Sequence, residues 1–482
     1  MNTTTKNTFI LPPGPKGLPI AGNAFQFQRD PLRFVRDLER TYGRMATIHL
    51  GNTALVLFCR PEHVRYFLTE NPRNFTKAEH DGPLHQLLGD GLLTIEGDFH
   101  RQQRRLVQPA FHKHRVESYG AIMVQLTEEM LADWQPGIEI DIAQAMQRLT
   151  LRIIAKTLFN VDSPTQSIEL GHAFTTMIEN GGRPMGSQRR LRLDLPFTAY
   201  GKSMAGKRTL DAFVYRLIAQ RRAEKRDVGD VLSMLLTAQE EGNTLTDKQV
   251  HDHVLTFVGA GHETMQNTLS WTFYLLWQHP EVREKLLSEL QSVLAGRAPT
   301  VADLPNLPYL DWVLNESWRV YPPAWIQGRR AIEAFDLDGY HFPAGTIAMF
   351  SQWVIHHLPD VWGDPDVFRP ERWDPVNGQK VPQGAYFPFG GGPRICIGMP
   401  FAQLEARLLL ATILQRYTPR LVPGFPVVVE PRVTLRPKYG IRMMLEPTAI
   451  GDHAVPADTA PAASSLPHNS EPLAVSTDHT NQ

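Results

Sequence analysis

The sequence predicts a mainly helical protein with a smaller β portion, built as one large domain. Three observations predict it. Apolar residues recur at helical spacing through most of residues 31–294. Alternating or β-rich runs are confined to residues 42–59, 335–348 and the stretch after Pro423. No internal repeat and no linker-like stretch interrupts residues 31–450.

The composition agrees. The 482 residues are 42% hydrophobic and 21% charged, a globular balance in a chain long enough to bury a large core. Lys and Arg total 49 against 50 Asp and Glu, a net charge of −1, so no nucleic-acid partner is expected. Two cysteines, Cys59 and Cys396, exclude a disulfide framework and any site built from several thiolates. No apolar run approaches the roughly 18–20 residues of a membrane span. The polar N-terminus lacks a charged-then-apolar signal pattern. These features point to a soluble, cytoplasmic, reducing setting.

Along the chain, residues 1–10 read as a flexible N-terminus, and a Pro/Gly-rich arm at 11–19 opens the domain. Residues 46–50 alternate, Gly51 and Asn52 form a hairpin turn, and 54–58 are apolar and β-rich. Residues 61–68 return to helical spacing. Thr246 and Gln249 form a capping box ahead of apolar periodicity that runs to Trp277, with His279 and Pro280 as the stop. The predicted helix, 247–278, is about 48 Å long at ~1.5 Å per residue. Asp338 and Gly339 turn a second hairpin within 335–340. Residues 451–482, rich in Ala, Pro, Ser, Thr and Asp and without Phe, Trp or Tyr, read as a disordered tail beyond a domain of residues 11–450.

The most informative segment is Phe-Gly-Gly-Gly-Pro-Arg-Ile-Cys-Ile-Gly at 389–398. Its glycines and proline make a tight loop, and helical spacing follows from Met399 to Tyr417. Cys396 therefore stands where a loop enters a helix, whose positive end favours an anion such as a thiolate. A phosphate loop would need Lys and Ser or Thr after the glycines, and neither is present. A nucleophilic cysteine needs a base for which there is no local signature. A single cysteine ligand for haem iron needs this loop and little else.

The segment resembles the haem-binding signature of the cytochrome P-450 family, with Phe389, Gly392, Arg394, Cys396 and Gly398 at the required spacings. The resemblance extends over nearly all of residues 11–447. It implies that family's fold, a single domain with a long helix crossing over haem b, and Cys396 as the proximal iron ligand.

Gly-Ala-Gly-His-Glu-Thr at 259–264 sits mid-way along the predicted long helix. Two glycines there each cost roughly 1 kcal/mol against Ala. They read either as a packing notch or as a local widening that admits a small ligand. The segment is similar to the family's acid–threonine motif. By that resemblance Thr264 would hydrogen-bond dioxygen or its water partner, and Glu263 would help relay the two protons that O–O cleavage consumes. Met265 departs from the more common Thr or Ser.

The resemblance also implies a buried structural triad of Glu316, Arg319 and Arg372. It implies cations for the haem propionates from His100, Arg104, Arg329 and His356, and cofactor contacts from Ala260, Phe389, Arg394 and Gly398. Leu87, Leu88, Leu92, Phe257, Ala260, Ala324, Trp325 and Ile326 would line a hydrophobic substrate pocket. The glycine-rich 181–186 stretch reads as a mobile connection suited to an access lid. No flavin or nicotinamide fingerprint follows the loop, so electrons are expected from a separate ferredoxin or flavodoxin-type donor, docked at Lys113, His114 and Arg115. The expected activity is insertion of one oxygen atom of O₂ into a hydrophobic substrate of fatty acid, terpenoid, steroid or polyketide type. A peroxide-driven hydroxylase or haem isomerase, and a gas sensor or carrier, are the alternatives. Both fit the acid–threonine pair less well.

Overall fold

A computed structural model describes residues 11–77, 82–181, 194–224, 227–240 and 242–448. The first expected hairpin forms. Strands Met45–Leu50 and Thr53–Phe58 pair antiparallel, and Gly51 takes φ 61° in the turn, a region that favours glycine. Strand Thr53–Phe58 then pairs in parallel with Ile347–Phe350. That strand pairs antiparallel with Gln327–Ala331, and Phe75–Lys77 closes the far edge. This five-stranded sheet joins segments almost 300 residues apart. It also places Lys77 directly opposite Arg329 in the antiparallel register. The second expected hairpin pairs Phe335–Leu337 with Tyr340–Phe342, and Asp338 and Gly339 both take positive φ as a two-residue turn requires.

Seven helices frame the site: α1 (Gly97–Val107), α2 (Ile142–Phe159), α3 (Pro164–Gly181), α4 (Ala199–Glu224), α5 (Asp247–Gln278), α6 (Pro308–Val320) and α7 (Met399–Leu414). The long helix α5 has the bounds that its caps predict. Thr246 N donates to Gln249 Oε1 at 2.8 Å, Gln249 N donates to Thr246 Oγ1 at 3.3 Å, and Pro280 opens the next helix. Most of its residues are buried, as expected of a helix enclosed by others.

The two mid-helix glycines are a packing notch. A Cβ on Gly259 would lie 2.1 Å from Phe174 Cζ of α3, and one on Gly261 would lie 2.4 Å from Ile154 Cδ1 of α2. Close approach of α2 and α3 explains these glycines, which also border the cavity described below.

A second sheet orders Tyr417–Leu421, Arg442–Pro447 and Glu139–Asp141. A small hairpin, Val429–Pro431 with Leu435–Pro437, lies against α5, where Trp271 Nε1 donates to Leu435 O at 2.9 Å. Among the described residues no helix is long and apolar enough to cross a membrane. The expected flexible N-terminus (1–10), the expected tail (451–482) and all of the expected lid stretch except Gly181 lie outside the described residues.

Candidate active site

Cys396 ends a loop shaped by one unavoidable glycine. Gly392 has φ 60°, and a Cβ there would come within 1.6 Å of Leu68 O. The loop is tied back by Cys396 N donating to Phe389 O at 2.9 Å. Two residues on, Gly398 caps α7. The thiol opens into a cavity of about 3000 Å³, larger than a single small-molecule site needs.

Burial pushes the Cys396 thiol above its ordinary value. The Gly398 amide, the Arg104 charge and the Met399 amide all act in the opposite direction. The expected helix-end effect is thus present but loses to burial. A thiolate here needs a bound cation to hold it in that form.

The cavity gathers every expected cofactor contact but one. His100, Arg104, Ala260, Arg329, Phe389, Arg394 and Gly398 all border it, as do Glu263 and Thr264. His356 does not, which corrects the expected propionate role. It is fully buried behind the loop, where Phe387 N donates to its Nε2 at 3.1 Å and its Nδ1 lies 3.3 Å from Arg319 O. Burial and the nearby Arg319 charge pull it down to about 3, so a neutral imidazole braces two backbone segments.

One wall is strongly cationic. His100 and Arg104 project from α1 one turn apart, and Arg329 comes from its strand. Arg394 pairs with Glu96, which also accepts from Lys77 N at 2.9 Å. Lys77 borders the same wall and donates to Leu93 O. Burial, with the charges of Arg394 and Arg329, pulls Lys77 down to about 7. Burial and the Arg394 charge pull Arg329 to about 10, and burial with Arg394, Lys77 and Arg104 pulls His100 to about 3. Directly opposed like charges destabilise a sheet. Even so, Lys77 and Arg329 face one another, and Arg394 Nη1 is buried without a partner. Such a wall is complete only when anionic oxygens meet it, and the two carboxylates of haem would supply them.

Lys77, Glu96 and Thr434 were missed from the sequence. Lys77 is a single Lys in an unremarkable segment, and only the strand register sets it against Arg329.

On the opposite side of the cavity, Thr264 Oγ1 donates to Ala260 O at 2.7 Å, one turn back along α5. Glu263 points toward the 429–437 hairpin, where Thr434 Oγ1 donates to Glu263 Oε1 at 2.5 Å. The expected apolar lining is in place: Leu87, Leu88, Leu92, Phe257, Ala324, Trp325 and Ile326 all border the cavity.

The Glu316 triad supports this site from behind. Both Glu316 oxygens accept from Arg319, at 2.8 and 2.9 Å, and Arg372 Nε and Trp373 Nε1 donate at 3.2 and 2.9 Å. Arg319 also donates to His356 O and Pro365 O at 2.8 Å. Of the expected docking cations, Lys113 and His114 are exposed. Arg115 instead turns inward over the Tyr119 ring, 5.9 Å from its centroid, which removes it from the expected patch.

Comparison with known proteins agrees with this geometry. The family model for cytochrome P450 matches residues 12–445. Cyclooctatin synthase of Streptomyces melanosporofaciens is 36% identical over 90% of this chain and 95% of its own. Cyclooctat-9-en-7-ol 5-monooxygenase of the same organism is 37% identical over 87% and 95%. Pentalenene oxygenase of Streptomyces avermitilis is 35% identical over 90% and 95%. A solved structure of cyanobacterial CYP120A1 with retinoic acid bound superposes with TM-score 0.83 at 30% identity, covering 92% of this chain and all of that one.

Proposed function

Since the chain belongs to the cytochrome P450 family and is a haem-dependent monooxygenase, we propose that it oxidises a terpenoid hydrocarbon or a terpenoid alcohol. The carrying observation is a single cavity in which a cysteine thiol and a hydroxyl–carboxyl pair enclose an otherwise largely apolar space. Its apolar walls match a substrate with few polar groups, and three relatives carry names of terpenoid-oxidising enzymes.

The residues present fit haem b. Cys396 would be the ligand for its iron. Lys77, His100, Arg104, Arg329 and Arg394 would hold its two carboxylates, and Ala260, Phe389 and Gly398 would border its ring. Bound haem supplies electron storage and activation of O₂. To Thr264, whose hydroxyl donates to Ala260 O beside the cavity, we assign the holding of a proton, and to Glu263 its resupply. Leu87, Leu88, Leu92, Phe257, Trp325 and Ile326 orient the substrate and exclude water, which keeps protons from reaching the site by other routes. We assign haem binding to residues 11–450.

Electrons come from a redox partner. For that partner we propose a ferredoxin or flavodoxin type. Exposed Lys113, beside His114 on a short helix packed against α7, presents cationic charge to its acidic surface. A cytoplasmic location follows from this choice of donor.

The test is a spin-state titration of the purified haem protein against polycyclic terpenes, terpene alcohols, fatty acids and steroids. The proposal expects the Soret band to shift at micromolar terpenoid. A shift with fatty acids alone would assign a different substrate class.

A further inference from the structure

We propose that Thr434 is a positioning residue for Glu263, and that the 429–437 hairpin carrying it couples cavity occupancy to proton delivery. This rests on the reading of Glu263 as the relay acid. Glu263 and Asn267 lie one turn apart on one face of α5, and Thr434 inserts between them. Its hydroxyl donates to Glu263 Oε1 at 2.5 Å and accepts from Asn267 Nδ2 at 3.0 Å.

Chemistry sets the direction of this chain. An amide NH₂ group only donates, so the Thr434 hydroxyl accepts from Asn267 Nδ2. A hydroxyl has one proton, and that proton goes to Glu263 Oε1. Asn267 and Thr434 are both buried, so water does not compete freely for either group.

The hairpin has one side on α5 and the other on the cavity. Trp271 Nε1 holds Leu435 O at 2.9 Å, and Trp325 Nε1 holds Arg432 O at 3.0 Å. Val433 and Thr434, at its turn, border the cavity. A substrate seated against Val433 therefore bears on the same turn that fixes the carboxylate. Without the hydroxyl, Glu263 loses the partner that selects its rotamer, and proton transfer to the Thr264 side is no longer timed with substrate occupancy.

The experiment compares Thr434→Val, Thr434→Ser, Glu263→Gln and the Val/Gln double variant in the haem-loaded protein. In Thr434→Val the ratio of released peroxide to product should rise up to roughly tenfold, the scale of one lost hydrogen bond. It should return to within about twofold of the parent in Thr434→Ser, and the double variant should be no worse than Glu263→Gln alone. A second readout is independent of turnover. The Glu263 carboxylate infrared band, identified by its loss in Glu263→Gln, should shift in Thr434→Val and return in Thr434→Ser. Thr434→Ala is read in the same way if valine does not fit. An unmoved band and an unchanged peroxide ratio in Thr434→Val, with Glu263→Gln raising that ratio, overturn the positioning role. If Glu263→Gln itself leaves the ratio unchanged, the relay reading fails, and the infrared shift still decides whether Thr434 orients the carboxylate.

Discussion

Cys396 and Cys59 are the same side chain in opposite situations. Cys59 is fully enclosed beside the first hairpin, and burial with the nearby Glu39 charge raises its thiol far above the ordinary value. Burial raises the Cys396 thiol as well, but it opens into the cavity with two backbone amides and an arginine beside it that oppose that rise. Cys396→Ala should therefore remove the red-shifted Soret band of the reduced CO complex, while Cys59→Ala should keep it. An intact band in Cys396→Ala would refute the ligand assignment. Thr264→Ala should raise peroxide release relative to product, measured together with NAD(P)H consumption. Lys77→Met removes one of the four Lys and Arg side chains, beside neutral His100, from the wall assigned to the haem carboxylates. It should weaken haem retention by roughly ten- to a hundredfold, the scale of one charged hydrogen bond. Transfer of haem to apomyoglobin reads this directly, and an unchanged transfer rate would argue against Lys77 as a propionate contact.

At the scale of elements, helix α5 is the axis to which α4 and the 82–96 segment are fastened. Asp252 accepts from Lys248 Nζ at 2.7 Å and from Asp90 N at 2.9 Å, and lies 2.8 Å from His251 Nδ1. The other nitrogen of His251 reaches Asp211 of α4 at 3.0 Å, and the Tyr215 ring stacks on the imidazole at 4.3 Å. Burial lowers His251, but hydrogen bonds to Asp211 and Asp252 outweigh it, and its net value is raised. A histidine raised on folding stabilises fully below its unfolded value, near 6.5, and loses that contribution as pH climbs through the folded value. The α4–α5 attachment should thus loosen from neutral toward alkaline pH. Protection of α4 amides, measured against the intrinsic exchange rate at each pH, should fall over that window in the parent protein and stay flat in His251→Gln. Equal pH dependence in the two would remove His251 as its source.

For the molecule as a whole, Glu316 is the point where α6 and the 356–373 stretch are tied together. The carboxylate is fully buried and receives donors from Arg319, Arg369, Arg372 and Trp373. Removing one partner from such a set strands charge in the interior, at a cost of about 3–5 kcal/mol. Glu316→Gln leaves two guanidinium groups without their anion. It should lower thermal stability by that order and reduce the haem-loaded fraction, since the supported loop carries Cys396. Calorimetry with the haem-to-protein absorbance ratio measures both. A stable, fully loaded Glu316→Gln protein would show that the triad is dispensable.

Local rules were enough for much of this. A capping box and a proline stop set both ends of α5, turn residues set both hairpins, and loop spacing singled out Cys396, because each depends on neighbours within a few positions. Gly259 and Gly261 marked an unusual point in α5, but their sequence could not separate a notch from a widening. That was settled by Phe174 and Ile154, which arrive from other helices. The cationic wall, the neutral bracing role of His356 and the Thr434–Glu263 contact were likewise decided only by tertiary structure. Each joins residues far apart along the chain, and charge, burial and hydrogen-bond direction acquire values only when those distant partners meet.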